Sequence, residues 1–153
     1  MSISERDGNS RAGLKLTSLD ISLLILRIAL GVVFFAHGSQ KVLGWFGGHG
    51  IHATAVSFVS MGIPLPLAYI AMFTEFLGGL GLIFGVLSRL SALGIFINMV
   101  VAVLLVHIHN GFFMNWGMVP GKGEGYEYHI LVMAICLMLL FVGPGKIAFM
   151  RKV

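Results

Sequence analysis

Charge is what this sequence has least of. Lys, Arg, Asp and Glu make up 10% of its 153 residues, against about 25% in soluble domains, too few to dress a water-facing surface. Its single cysteine, Cys136, excludes an internal disulfide and any C-x-x-C redox pair. Convincing strands are missing, so no glycine pattern follows one as a nucleotide site requires. The run "GKGEG" (Gly121 to Gly125) lacks the upstream glycine spacing and the Ser/Thr after Lys122 of a phosphate loop, and reads as a flexible connection. No A-x-A site follows the polar opening "SISERDGNSRAG", so no cleaved targeting segment is expected. Internal repeats and low-complexity tracts are absent as well.

What is there is apolar: 58% of the residues are hydrophobic. A membrane crossing needs about 17 to 25 mostly apolar residues, and four segments qualify, about 19–37, 65–87, 90–107 and 128–145. The expected fold is all-α, an integral membrane four-helix bundle with an interfacial or re-entrant segment between helices 1 and 2. Residues 1–17 are expected as a polar cytoplasmic tail, and 18–150 as the transmembrane domain. In the first long loop, Ile51, Ala55, Phe58 and Val59 form a helical stripe, the reason to expect that interfacial segment.

The net charge of +4 follows from how basic residues sort across a bilayer, and no nucleic-acid partner is expected. Arg6, Arg11, Lys15, Arg89, Lys146, Arg151 and Lys152 fall on one side, Lys41 and Lys122 on the other. The positive-inside rule then puts both termini in the cytoplasm of a bacterial inner-membrane protein. The loops at about 38–64 and 108–127 face outward. All six histidines lie in these loops or at the helix ends beside them, with Trp45, Trp116 and the Phe112-Phe113 pair. Such aromatics are ordinary interfacial anchors.

Within the run "LLILRIALGVVFF" stands one full charge, Arg27. Counted at a helical rise, it lies about 15 Å inward from His37, and Glu75 about 13 Å inward from Pro66. Asn98 and Cys136 fall about 10 to 14 Å below His107 and His129. The polar side chains of the four spans thus converge on one level. An unpaired charge at that depth costs about 2.5 to 3.5 kcal/mol on insertion scales, so an Arg27–Glu75 pair is expected, with Asn98 adding hydrogen bonds. The pair either fixes helix register or lines a ligand site. Arg27, Gly31, Phe34 and Gly38 share its stripe, and Glu75 shares one with Gly78, Gly79 and Leu82. His109 projects close to Asn98 and His129 close to Cys136, so both are expected above the polar layer. His49-x-x-His52 and His107-x-His109 are weak metal motifs, and neither a metal nor a haem is assigned.

The blocks "LLILRIALGVVFFAHGSQKVLGWFGGHG", "FTEFLGGLGLIFGVLSRLSA", "HIHNGFF", "GYEYHILVMA" and the closing "GPG" together resemble the DoxX family of small bacterial membrane proteins. The resemblance spans about Leu23 to Gly145. It implies a four-helix bundle with membrane oxidoreductase activity, and kinship with the DoxD component of thiosulfate:quinone oxidoreductase. Residue by residue it picks out Arg27, His37, Gln40, Lys41, Trp45, Glu75, Gly78, Gly79, Tyr128 and the Gly143–Gly145 turn.

Three functions are compatible with these features. The first is a quinone-linked membrane oxidoreductase or subunit. Its site would be built on Arg27, Glu75, Asn98 and His37, with Gln40, Trp45, Tyr128, His109 and His129 around a quinone. The second is a non-catalytic membrane subunit docking a redox enzyme, and the third a carrier for a small lipophilic or anionic molecule. The bilayer is the expected partner in all three, with a redox enzyme or a second copy of the chain besides.

Overall fold

The structure, a computed structural model, describes residues 15–150. The expected tail up to residue 14, and the basic residues Arg151 and Lys152, lie outside the described residues.

Among the described residues, five α-helices follow one another: α1 (Ser18–Val42), α2 (Gly50–Ser60), α3 (Leu65–Phe84), α4 (Ser88–Ala102) and α5 (Glu127–Val142). α4 runs on through a π turn, Val103–His107, and a 3-10 turn, Ile108–Asn110. Three of these stretches are long and apolar enough to cross a membrane: Ser18–Val42, Leu65–Phe84 and Ser88–Asn110. α5 is apolar but has only 16 residues.

Local chemistry sets the boundaries. Thr17 caps α1 in a reciprocal box with Asp20, whose Oδ2 accepts from the Thr17 amide at 2.8 Å and its hydroxyl at 2.6 Å. α1 then continues past His37, where its end was expected, to Val42. At a helical rise its 25 residues measure about 37 Å. α3 starts directly after Pro64 and stops at Phe84, because Gly85 takes a left-handed conformation (φ 71°) that ends the helix. α5 stops at Val142 before Gly143 (φ 93°) and Pro144.

α1 and α3 form the tightest pair, antiparallel and in close approach. A Cβ on Gly31 would stand 2.9 Å from the Gly79 carbonyl oxygen and the Ile83 amide nitrogen, and one on Gly38 would collide with the Phe76 backbone. Gly79 in turn lies on Phe35. The facing residues are thus 31 and 83, 35 and 79, 38 and 76, which fixes the register over two turns. α4 packs on the other side of α3, with Gly94 against Thr74, and α5 packs on α4. α1 and α5 complete the ring with a sparser contact. Leu23, Leu30, Phe34, Leu82, Ile95 and Leu139 fill the core. Large apolar side chains such as Ile25, Leu77, Leu90 and Phe141 cover the outside, as a lipid-facing surface requires.

The expected interfacial segment is α2, which lies across α1 and α3 with Ala55 buried beneath it. At the opposite, short-turn end the chain folds back after α5. The Met150 amide donates to the Gly85 carbonyl at 2.9 Å, and the Lys146 amide to Asp20 Oδ1 at 2.9 Å.

Candidate functional site

A cavity of about 630 Å³ opens at the loop end of the bundle, enclosed by α1, α3, α4, the start of α5 and both long connections. Its walls are largely apolar: Phe34, Phe58, Met61, Met99, Leu105 and Met114. Eight polar side chains also reach it: His37, Lys41, Glu75, Asn98, His107, Glu124, Tyr128 and His129. An apolar chamber with a few convergent polar groups is the general form of a small-molecule site, and about 300 to 1,000 Å³ is the usual size.

The first polar wall is an ion pair. Lys41 Nζ lies 2.5 Å from both Oε1 and Oε2 of Glu75, so the carboxylate grips the ammonium with both oxygens. Glu75 is buried, its side chain 6% exposed, and that of Lys41 is 28% exposed. The ammonium also sits over the Phe58 ring, 5.7 Å from its centre, which gives the partly desolvated cation a second favourable contact. Asn98, one helix over, donates its amide to the Ala71 carbonyl at 2.9 Å and ties α4 to α3 at this level.

The second wall is aromatic and titratable. The His107 and His129 rings lie against each other with centres 4.2 Å apart and planes tilted by 42°, and Tyr128 meets His129 edge-on at 5.8 Å. His107 Nδ1 lies 2.8 Å from the Glu124 carbonyl oxygen. A carbonyl can only accept, so that nitrogen carries a proton and donates it. The π turn makes this arrangement. In an unbroken α-helix His107 would lie half a turn out of phase with Asn98, about 900° further on. The wider turn of Val103–His107 lets the helix face lag behind and brings His107 into the wall. The connection above is braced by acidic side chains. Glu124 Oε2 accepts from the Asn115 amide at 2.7 Å, and Glu127 Oε1 from the Met114 amide and Trp116 Nε1 at 2.9 and 3.0 Å.

The expected Arg27–Glu75 pair is not what forms. Arg27 is 2% exposed, but its guanidinium donates to the Pro144 and Ile147 carbonyls, each at 2.9 Å. The helix register explains the difference. Glu75 faces the Ser39 level of α1, and Arg27 is twelve residues away from that level, about 18 Å along the axis. Depth counted from the loop end of each helix had put both at one height, because α1 was taken to end at His37. Arg27 instead satisfies carbonyls of the returning chain, which no helix uses. Asn98 adds nothing to Arg27, and Cys136 is packed in the core, 1% exposed.

The remaining expected site residues divide. His37, Tyr128 and His129 line the cavity. Gln40 does not; its side-chain amide donates to the Phe46 carbonyl at 3.2 Å and holds the first loop. Trp45 is 53% exposed beside Phe46 and lies outside the cavity. His109 is exposed and stays outside too, because the π turn gives its expected place to His107. Lys41, His107 and Glu124 are the cavity residues that spacing did not select as a site. For Lys41 the signal was present: the stripe of Arg27, Gly31, Phe34 and Gly38 meets Lys41 three residues further on. Among the described residues, no group of three His, Cys, Asp or Glu side chains converges as a metal site would require.

The profile of the DoxX family matches residues 22–108, more than half of the chain. Over 122 residues the chain is 29% identical to the "Putative oxidoreductase CatD" of Bacillus subtilis strain 168, covering 80% of this chain and 81% of that protein. It is 28% identical over 135 residues to the "Inner membrane protein YphA" of Escherichia coli K12, covering 86% and 90%. No solved structure matches it.

Proposed function

Because the chain belongs to the DoxX family and has a relative named "Putative oxidoreductase CatD", we propose that it is a quinone-linked membrane oxidoreductase or the membrane subunit of one. The observation that carries this reading is the cavity of about 630 Å³ with the Lys41–Glu75 pair on one side and the Tyr128–His129–His107 wall on the other. A quinone is a flat apolar ring with two carbonyl oxygens and an apolar tail. The methionines and phenylalanines suit the ring and tail, and the two polar walls suit the oxygens. Reduction to the quinol takes up two electrons and two protons. Glu75, Tyr128 and the histidines are groups able to hand on protons at the cavity. The electrons come from a substrate or a partner redox enzyme.

This reading places the protein in a bacterial inner membrane, as its relative's name suggests, with the cavity on the outer side. The distribution of Lys15, Arg89 and Lys146 at the short-turn end, against Lys41 and Lys122 at the loop end, supports that orientation. A docking role alone is the second reading. Trp116, Met118 and Phe113, 81%, 87% and 69% exposed on the second long loop, favour it.

Titration of the protein in lipid nanodiscs with a short-chain benzoquinone tests the proposal. Saturable binding, weakened about tenfold or more by a cavity-filling Ala102→Trp, is the expected outcome. A chain that binds no quinone, but co-purifies with and activates a redox enzyme, would leave the docking role in its place.

A further inference from the structure

On α4, Gly94 meets Thr74 and the Asn98 amide reaches the Ala71 carbonyl, so this face of α4 lies on α3. Val101 and Leu105 continue the same stripe towards the loop end, three and seven residues beyond Asn98. Neither is buried against α3. Both line the cavity, and they are 40% and 50% exposed. On the other side, α3 begins at Leu65, and Ile63 and Met61 of the connection before it also line the cavity. Met61 is 48% exposed. The two helices, joined at Ala71 and Asn98, thus part towards the loop end, and the gap between them leads from the cavity to the outer flank of the bundle.

Depth decides what that gap faces. Leu105 and Val101 lie five and nine residues short of Asn110, where the apolar stretch Ser88–Asn110 ends, so about 7 and 13 Å inward at a helical rise. The hydrocarbon core of a bilayer is about 30 Å thick, which sets the gap beneath the headgroups and against acyl chains. Its edges, Met61, Ile63, Ala71, Val101 and Leu105, carry only apolar side chains. We propose that the gap is a lateral slot: the ligand enters through it from the outer leaflet, and its apolar tail stays there once the headgroup is inside. The inference rests on the quinone reading above and narrows it. The ligand is a membrane-dissolved amphiphile, with a carbonyl-bearing headgroup and a long apolar tail, taken from the bilayer and not from water. A tail left among acyl chains needs no enclosed volume, so about 630 Å³ has to hold only the headgroup and the first tail carbons.

The test uses the full chain in lipid nanodiscs with a benzoquinone whose decyl tail ends in a photoreactive diazirine. Cross-links are expected at Met61, Val101 and Leu105, and excess unlabelled decyl-benzoquinone should remove them. If the cross-links that the competitor removes lie instead at Val33 or in the 112–124 connection, the tail leaves by another route. That result overturns the slot and leaves the cavity reading standing. If the competitor removes no cross-link, no quinone is held and both readings fall. A second arm plugs the slot with Val101→Trp/Leu105→Trp. The double change should weaken binding of the decyl compound about tenfold, counted per mole of lipid, while tailless benzoquinone stays within about threefold of wild type. A merely structural role would weaken both compounds alike, and equal effects on the two, or none on either, contradict the slot. If the variant does not fold, cross-linking of the wild type decides alone.

Discussion

Glu75 on α3 takes its cation from Lys41 on the last turn of α1, and not from Arg27, fourteen residues earlier on the same helix. Two charged clusters therefore occupy the two ends of the molecule. The one at the loop end borders a cavity, and the one at the short-turn end holds the returning chain.

The pairing has an energetic signature. Lys41→Met leaves Glu75 buried without a partner, and Glu75→Leu leaves Lys41 without one. Each single change should cost about 1 to 3 kcal/mol, discounted because Lys41 is partly exposed, and the double change should recover part of the loss. Thermal unfolding of the four proteins in one detergent gives the coupling energy. Arg27→Leu combined with Glu75→Leu should instead be additive within about 0.5 kcal/mol.

Arg27 is expected to act as a latch. Arg27→Lys keeps the charge, but a single ammonium cannot reproduce the planar fork that reaches the Pro144 and Ile147 carbonyls together. A loss of about 2 to 3 kcal/mol follows. Hydrogen exchange should speed up at the Lys146 and Met150 amides while the cavity end stays protected.

Close approach of α1 and α3 predicts unequal costs for equal substitutions. Gly38→Ala drives a methyl group into the Phe76 backbone, which cannot yield, and should destabilise by about 2 to 4 kcal/mol. Gly117→Ala meets Val119 Cγ2 at an ordinary 3.7 Å and should change stability by less than about 0.5 kcal/mol.

Orientation can be read by labelling. Cys136 is 1% exposed, so the wild-type chain should give little background with a membrane-impermeant maleimide. Lys122→Cys should react in intact cells, and Lys15→Cys only after the membrane is opened. The reverse pattern would place the cavity on the inner side.

Much of this architecture was legible because composition and helical periodicity are local properties. Four apolar runs, an interfacial helix at Ile51 and Ala55, and a polar level holding Glu75 and Asn98 with His129 above it could all be found along the chain. The pairing of charges could not, because it depends on the offset between two antiparallel helices. That offset is set where Gly31, Gly38 and Gly79 let backbones touch, and no count along one helix reveals it. The first span was also expected to end near His37, whereas α1 runs through Gly38 to Val42, because glycine between packed membrane helices is an interface residue more than a breaker. The choice between His107 and His109 turned on a π turn with no signature in "VLLVH", and the partner of Arg27 lay in a segment that returns only in three dimensions.

The most direct measurement compares the affinity of a short-chain benzoquinone for folded Ala102→Trp and Arg27→Lys proteins in nanodiscs. If the ligand site is the loop-end cavity, the tryptophan weakens binding at least about tenfold, while Arg27→Lys stays within about threefold of wild type. Unchanged binding to Ala102→Trp, or binding lost in a folded Arg27→Lys protein, would place the site around the buried arginine and contradict the account.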